Sequence, residues 1–330
     1  MKRKIAFLLV LAIILTVFIC GKETQPVEAK SEVRQLHVSG AALCDEKGNA
    51  VQLKGISTHG IAWYPQYIND KCFKQLKGWG VNVVRLAMYS AEYNGYSTGG
   101  EENKKALKKQ IEKGVSLAQK YGMYVIIDWH IMNQDGNPLT NKADAREFFT
   151  WASKKYKNTN NVIYEICNEP CNGTSWDDIT EYASEIIPLI RKNASKSVII
   201  VGTPNWSQEL DRAVEKPLKY KNIMYALHFY AATHKDDLRN TLKRAIEKKL
   251  PVFVTEFSIC EASGNGNNDK ESAKNWMEII NKAKISYCLW NLSNKNESSA
   301  VIKPEVTKTS GFTEKDLTES GLWFRKQLKK

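Results

Sequence analysis

Val162-Ile163-Tyr164-Glu165-Ile166-Cys167-Asn168-Glu169-Pro170 begins as an apolar strand and breaks off in an Asn-Glu-Pro corner. A proline cannot donate to a sheet ladder, so the strand must end there, delivering an amide and a carboxylate where a buried segment surfaces. Pro251-Val252-Phe253-Val254-Thr255-Glu256-Phe257 follows the same plan and ends in Glu256. Two strands of this kind in one chain predict two glutamates held opposite one another, and the scaffold that could do so is read outward from them.

Strand-like apolar runs recur at 51–57, 81–87, 123–129, 161–168, 197–202, 223–228, 251–256 and 285–290. Helical spacing separates them at 67–77, 104–121, 143–156, 176–191, a short stretch near 209–214, 236–248 and 272–283, with a last helix at 315–328. Strands that alternate with helices pair in parallel, because only a long crossover returns the chain in the same direction. Eight such units in one chain predict an α/β fold of the closed (β/α)8 TIM barrel type. The open doubly wound sheet is disfavoured, since no Gly-x-Gly-x-x-Gly follows the first strand. Ahead of the barrel, residues 35–53 read as a short N-terminal β-hairpin turning at Asp45–Asn49.

Residues 1–29 read as a signal peptide or lipoprotein leader: Lys2, Arg3 and Lys4 precede a predominantly apolar run from Ile5 to Ile19, too short for the ~20 residues that span a bilayer. Two ends to the leader compete, cleavage after Ala29 or lipid attachment at Cys20, with a polar spacer leading to a single domain over 34–330. Secretion is the expectation, with anchoring through Cys20 as the variant. The net charge of +12 includes the leader cations, and the remaining lysines are spread along amphipathic helices without interleaved aromatics. That pattern belongs to solvated helix faces and disfavours nucleic acid. Six cysteines lie beyond the leader. Cys167, Cys260 and Cys288 fall inside strands and act there as small apolar residues, while pairing of the six stays open.

In a barrel of this kind chemistry sits at the carboxyl ends of the strands. Those ends supply His59, with Trp63 and Tyr64 beyond, then Arg85 with Tyr89, Asp128 with His130, Asn168 with Glu169, Trp206, His228 with Tyr230, Glu256, and Trp290. Three of the five histidines fall in this set. Carboxylates, an arginine, imidazoles and a ring of aromatics suit a sugar, whose ring faces stack on aromatics while its hydroxyls meet amides and imidazoles. Histidines grouped with Asp128 could be read as metal ligands, but no helical i, i+4 histidine pair supports a metal, and neither metal nor cofactor is expected. Glu165 shares the strand parity of Glu169 and is read as a buried structural charge paired with a basic side chain.

The ordered set Gly55-Ile56-Ser57-Thr58-His59-Gly60, Asn82-Val83-Val84-Arg85, Ile127-Asp128-Trp129-His130, Tyr164 to Pro170, His228-Phe229-Tyr230, Val254-Thr255-Glu256-Phe257 and Leu289-Trp290-Asn291-Leu292-Ser293 resembles the glycoside hydrolase family 5 endo-β-1,4-glucanases, and extends from about Leu36 to Trp323. The resemblance implies a retaining double displacement on internal bonds of cellulose and related β-glucans, with Glu169 as acid and base and Glu256 as nucleophile. It implies Arg85 and Tyr230 as partners of Glu256, His228 as a positioning group and Asn168 on the sugar 2-hydroxyl. It places His130 and Trp290 at the subsite before the cleavage point. His59, Trp63, Tyr64, Tyr89, Trp206, Lys295 and Glu297 are implied as substrate-binding residues, with Trp206 grouped on the non-reducing side. The partner implied is a β-1,4-glucan met by a monomer, with no protein partner. Another β-1,4-glycanase, acting on mannan or xyloglucan, and a non-catalytic carbohydrate-binding surface protein remain the alternatives.

Overall fold

The computed structural model describes residues 33–329; the leader, including Cys20, lies outside the described residues. Among the described residues, ten strands and nine α-helical segments follow one another. The strands are β1 (His37–Ser39), β2 (Ala42–Cys44), β3 (Lys54–Thr58), β4 (Val83–Tyr89), β5 (Tyr124–His130), β6 (Val162–Glu165), β7 (Ile199–Val201), β8 (Ile223–Tyr230), β9 (Val252–Ser258) and β10 (Ser286–Leu292). The helices are α1 (Asp70–Trp79), α2 (Gly100–Lys120), α3 (Lys142–Lys155), α4 (Trp176–Asn193), α5 (Pro204–Ser207), α6 (Leu210–Glu215), α7 (Asp236–Glu247), α8 (Lys270–Lys282) and α9 (Glu319–Leu328). Strands β3 to β10 close into a parallel barrel in chain order, with β10 returning to β3. This is the (β/α)8 barrel expected from the alternation.

Local signals set the element ends. The Asn69 side chain accepts from the Cys72 N–H and starts α1 three residues later than the apolar spacing suggested; Gly80, at φ 104°, ends it. Ser175 and Asp178 form a reciprocal capping box at the start of α4. The last helix also begins later than expected, because Thr318 caps it at Gly321 and residues 314–316 form a separate 3-10 turn. The hairpin turn is a correction: β1 and β2 join at Gly40-Ala41, and Asp45–Asn49 instead forms a following turn closed by the Cys44–Ala50 bridge.

Two apolar layers follow from strand parity. Outward residues such as Val84, Leu86, Val125, Ile127 and Tyr164 meet the helices, where Trp276 stacks on Phe229 with ring centres 4.0 Å apart. Inward residues Val83, Ile126, Ile163, Ile200, Met224 and Phe253 fill the amino end of the barrel, and Leu36, Leu43 and Leu53 of the hairpin region cover them. Above this plug the inward positions turn polar: Arg85, Asp128, Glu165 and Thr255 are all fully buried or nearly so. The core thus ends where a charged layer begins.

All six described cysteines are buried and free, so the core stands without disulfides. Trp129 and Trp276 are fully buried and Trp323 nearly so, as packing residues should be. Trp176 belongs with them: it packs against Tyr225 and its indole N–H donates to the Lys216 carbonyl.

Candidate active site

Strand β6 ends at Glu165, shorter than the run to Asn168 expected from hydropathy. The chain continues extended, with the Ile166 N–H on the Ile200 carbonyl and the Asn168 N–H on the Trp129 carbonyl, so Asn168 and Glu169 are carried to the mouth of the barrel. Gly202 permits this corner. A Cβ there would come within 2.4 Å of the Cys167 carbonyl oxygen and 2.8 Å of Pro170.

Glu256 arrives by a different device. Ala226 is paired with Phe253, but two residues later His228 is paired with Glu256 rather than Thr255, so β9 carries one extra residue. Such a bulge re-aims the side chains that follow it. Thr255 and Glu256, though consecutive, thereby both reach the barrel interior, where each bonds a side chain of the charged layer.

One oxygen each of Glu169 and Glu256 and a ring nitrogen of His228 lie within 4.8 Å of one another. The two carboxylates have different neighbours. Glu256 accepts from the Tyr230 hydroxyl at 2.7 Å and from Arg85 Nη1 at 3.2 Å. Glu169 meets only His228 Nδ1, at 2.8 Å, among the described residues. Burial pushes the Glu169 carboxyl up to about 8, with Asp128 and Glu165 adding to the rise against the pull of Arg85. Burial and the charge of Glu169 raise Glu256 to about 7, opposed by His228, Arg85 and Tyr230. Two such close groups cannot both ionise freely, and the first charge belongs on the one with the cation and the phenol. The surroundings thus favour the charge on Glu256 over Glu169.

Arg85 is wholly buried below them and gathers three carboxylates: Glu165 at 2.6 Å, Asp128 at 3.0 Å and Glu256 at 3.2 Å. Its Nη2 also donates to the Asn168 amide oxygen at 2.5 Å. Glu165 is thus the structural charge expected from its parity. Asn168 is likewise fully buried, and its amide nitrogen donates to the Ile131 carbonyl at 2.9 Å. Only 3.4 Å links that nitrogen to His130 Nε2, which leaves its second hydrogen weakly held. His130 Nδ1 is fixed by Asp128 at 2.6 Å, and burial depresses its imidazole well below the usual range.

The cleft above measures about 580 Å³ and has two ends. At one end His59, Tyr89, His130 and Trp290 form an aromatic cluster, with His130 and Trp290 stacked at 5.3 Å. Lys295 and Glu297 pair at 2.7 Å beside it, and Glu297 is also held by Asn291 and Ser299. Trp63 and Tyr64, both half-buried, flank this cluster, Trp63 against Tyr89 at 4.4 Å and Tyr64 against His59 at 5.0 Å.

The structure separates Trp206 from that group. It stands at the opposite end with Asn133, its backbone N–H on the Pro170 carbonyl and its indole N–H 3.4 Å from the Asn133 side chain. Asn205, Trp206 and Ser207 all have φ near +55°, which costs about 1–2 kcal/mol for each non-glycine residue. Ser207 offsets part of that strain by donating to the Asn168 carbonyl at 2.6 Å. The result is an indole 38% exposed on the ridge between the cleft and a neighbouring hollow of about 740 Å³. Motif reading missed Met132, Asn133, Gln208, His234 and the 262–264 loop, which also line the cleft. Of these only His234, a rare residue close after β8, carried a usable sequence signal.

Glu169, His228 and Glu256 are spaced closely enough to present three ligand atoms to one cation. Both ring nitrogens of His228 and both oxygens of Glu256 already have protein partners, so an ion would have to displace them.

A closed (β/α)8 barrel with two buried glutamates facing one another at its carboxyl end suits the two-carboxylate chemistry of glycoside hydrolases. Comparison with known proteins narrows this. Residues 44–296 match the profile of Cellulase (glycosyl hydrolase family 5). The chain is 48% identical to Endoglucanase A of Butyrivibrio fibrisolvens, over 89% of this chain and 68% of that protein, and 42% identical to an endoglucanase of Clostridium saccharobutylicum, over 99% and 72%. Among solved structures it superimposes on the cellulase Cel5C_n with a TM-score of 0.88 at 39% identity, covering 93% of this chain and 96% of that one. It also matches the catalytic domain of Thermobifida fusca endoglucanase Cel5A in complex with cellotetraose, with a TM-score of 0.85 at 37% identity, covering 90% and 97%. The chain belongs to glycosyl hydrolase family 5.

Proposed function

We propose that the protein is an exported endo-β-1,4-glucanase that cleaves internal bonds of cellulose and related β-glucans with retention of configuration. The observation that carries this is the close, asymmetric pair of Glu169 and Glu256. Retaining enzymes hold their carboxyl groups about 5–5.5 Å apart, inverting ones about 6.5–9.5 Å to admit a water. Oxygens within 4.8 Å favour the first.

In the first step Glu256 attacks the anomeric carbon as the Glu169 proton passes to the glycosidic oxygen; the bond to the leaving chain breaks and a glycosyl ester forms. In the second, Glu169, now a carboxylate, takes a proton from water, the water oxygen attacks the same carbon, and Glu256 is released as a carboxylate. Arg85 and Tyr230 keep Glu256 ionised before attack and receive its charge again on release. The weakly held amide hydrogen of Asn168 is the one available to the sugar 2-hydroxyl. His130 and Trp290 supply the wall beside the reacting sugar, and His59, Tyr89, Lys295 and Glu297 hold the units beyond it, on a surface set by Trp63 and Tyr64. Trp206 serves the chain on the other side of the carboxylates.

Substrate class is supported by the relatives' endoglucanase names and by the cellotetraose complex of the Thermobifida protein. The basic tip and apolar run of the leader support export to where such polymers are met, and Cys20 offers the alternative of a lipid anchor. Product analysis on carboxymethyl-cellulose, lichenan, mannan and xyloglucan side by side tests the reading. Internal cleavage of the first two is expected; a clear preference for mannan or xyloglucan would overturn the glucanase assignment.

A further inference from the structure

Below the acid, a chain of hydrogen bonds runs in one direction only. Glu165 receives Arg85 Nε on one oxygen at 2.6 Å and Thr255 Oγ1 on the other at 2.6 Å. An ionised carboxylate only accepts, so the single Thr255 hydroxyl hydrogen is spent on Glu165. Thr255 Oγ1 also lies 2.8 Å from His228 Nε2, and having no hydrogen left it must accept there. The His228 proton therefore sits on Nε2, and Nδ1 presents a lone pair. Glu169 lies 2.8 Å from that lone pair and has no other hydrogen-bonding partner among the described residues.

We propose that Thr255, backed by Glu165 and Arg85, is a positioning residue that locks the His228 tautomer and thereby the protonation of Glu169. This rests on Glu169 being the acid and base, and it accounts for both of its tasks. While Nδ1 can only accept, the favourable form of Glu169 is the acid, donating its proton to the imidazole. After that proton has gone to the leaving group, Nδ1 has no hydrogen to offer the new carboxylate. Glu169 is left unsolvated by His228 and remains a strong base for the incoming water. A histidine free to place its proton on Nδ1 would do the opposite, stabilising the carboxylate by a charge-assisted bond and weakening both the acid and its conjugate base.

The same chain ties the acid to the nucleophile. Arg85 donates through Nε to Glu165 and through Nη1 to Glu256, so one buried cation orients the relay and holds the attacking charge. The other charged or titratable groups around Glu169 are Glu256 from β9, Asp128 from β5, Tyr89 and Tyr230 from β4 and β8, and Cys171 from the loop after β6. None of them gives Glu169 a hydrogen bond, so none can take over the tautomer control.

The test compares the alkaline limb of kcat/KM against pH on soluble cello-oligosaccharides for wild type, Thr255→Val and Thr255→Ser. Valine keeps the shape and removes the hydroxyl, which frees His228 to turn its proton to Nδ1. The limb is expected to move down by about one pH unit, and serine, which restores the hydroxyl, should return it to the wild-type position. A merely structural role for Thr255 would lower activity without moving the limb, and an unmoved limb in Thr255→Val overturns the lock. Should that variant fail to fold, 15N-histidine NMR of the unmodified protein decides: His228 protonated on Nε2 below the limb supports the proposal, and the Nδ1–H tautomer overturns it. Activity of Glu169→Gln separates the two levels. If that variant works like wild type, the acid assignment itself falls; if it is crippled while the limb of Thr255→Val stays put, only the lock falls.

Discussion

Replacing Arg85 with methionine removes the cation that pairs with Asp128, Glu165 and Glu256 in a buried layer while keeping a long apolar side chain in its place. Leaving a buried partner uncompensated costs about 3–5 kcal/mol, a large part of the 5–15 kcal/mol that holds a domain folded. The sign of its pH dependence follows from the carboxyls. Burial already raises Asp128 and Glu256 to about 7, and Arg85 opposes that rise at both. Without it their folded-state values climb further above the unfolded ones. A carboxyl raised in this way stabilises the fold at low pH, where it is protonated, and that stability is lost as pH rises through the folded value. Each excess proton held by the folded variant costs about 1.4 kcal/mol per pH unit. Over one to two units, Arg85→Met should therefore lose ~1.5–3 kcal/mol more at pH 8 than at pH 5. Urea unfolding of both proteins at the two pH values measures this directly. Equal losses at pH 5 and pH 8 would refute the claim that Arg85 acts by holding these carboxylates ionised.

The two glutamates should separate by substitution. Glu256→Ala should abolish turnover of carboxymethyl-cellulose while isothermal titration still detects cello-oligosaccharide binding, and near wild-type turnover would sink the nucleophile. Glu169→Gln should lose ~10²–10⁴-fold on alkyl glycosides and much less on aryl glycosides whose leaving groups need no proton; equal losses on both would count against the acid. Because Glu169 sits at about 8 in the folded protein, wild-type kcat/KM should fall as pH rises through that region, with no matching loss of folded protein by circular dichroism. With all six described cysteines free, dithiothreitol should leave the melting temperature unchanged, and a drop of several degrees would reveal a bridge.

The barrel was legible because its signal is distributed. Eight apolar runs alternate with eight helical ones, and the strand ends concentrate histidine and tryptophan far more than composition predicts. The pairing of Glu165 with a base was legible too, from its parity with Glu169 on one strand. Parity fails at Glu256: alternation from Phe253 and Thr255 would turn it outward, and only the extra residue in β9 brings it in. Nothing in Val252–Phe257 announces that bulge, because it is set by how β8 and β9 pair across the barrel. The hairpin turn was misplaced for a related reason. Asp45–Asn49 has the stronger turn composition, yet the short Gly40-Ala41 connection lets Leu36 and Leu43 both reach the barrel floor. Trp206 is a third instance. Its sequence neighbourhood marks it as a site aromatic, but the left-handed turn at 205–207 decides which end of the cleft it serves, and that depends on Pro170 and Asn168 from another loop.

Product stereochemistry tests the proposed roles of Glu169 and Glu256 most directly. Proton NMR of the first products from a β-linked cello-oligosaccharide, recorded before mutarotation, should show the β-anomer appearing first and the α-anomer only later. Initial appearance of the α-anomer would mean that a water stands between the carboxylates during reaction, and the double displacement through Glu256 would be wrong.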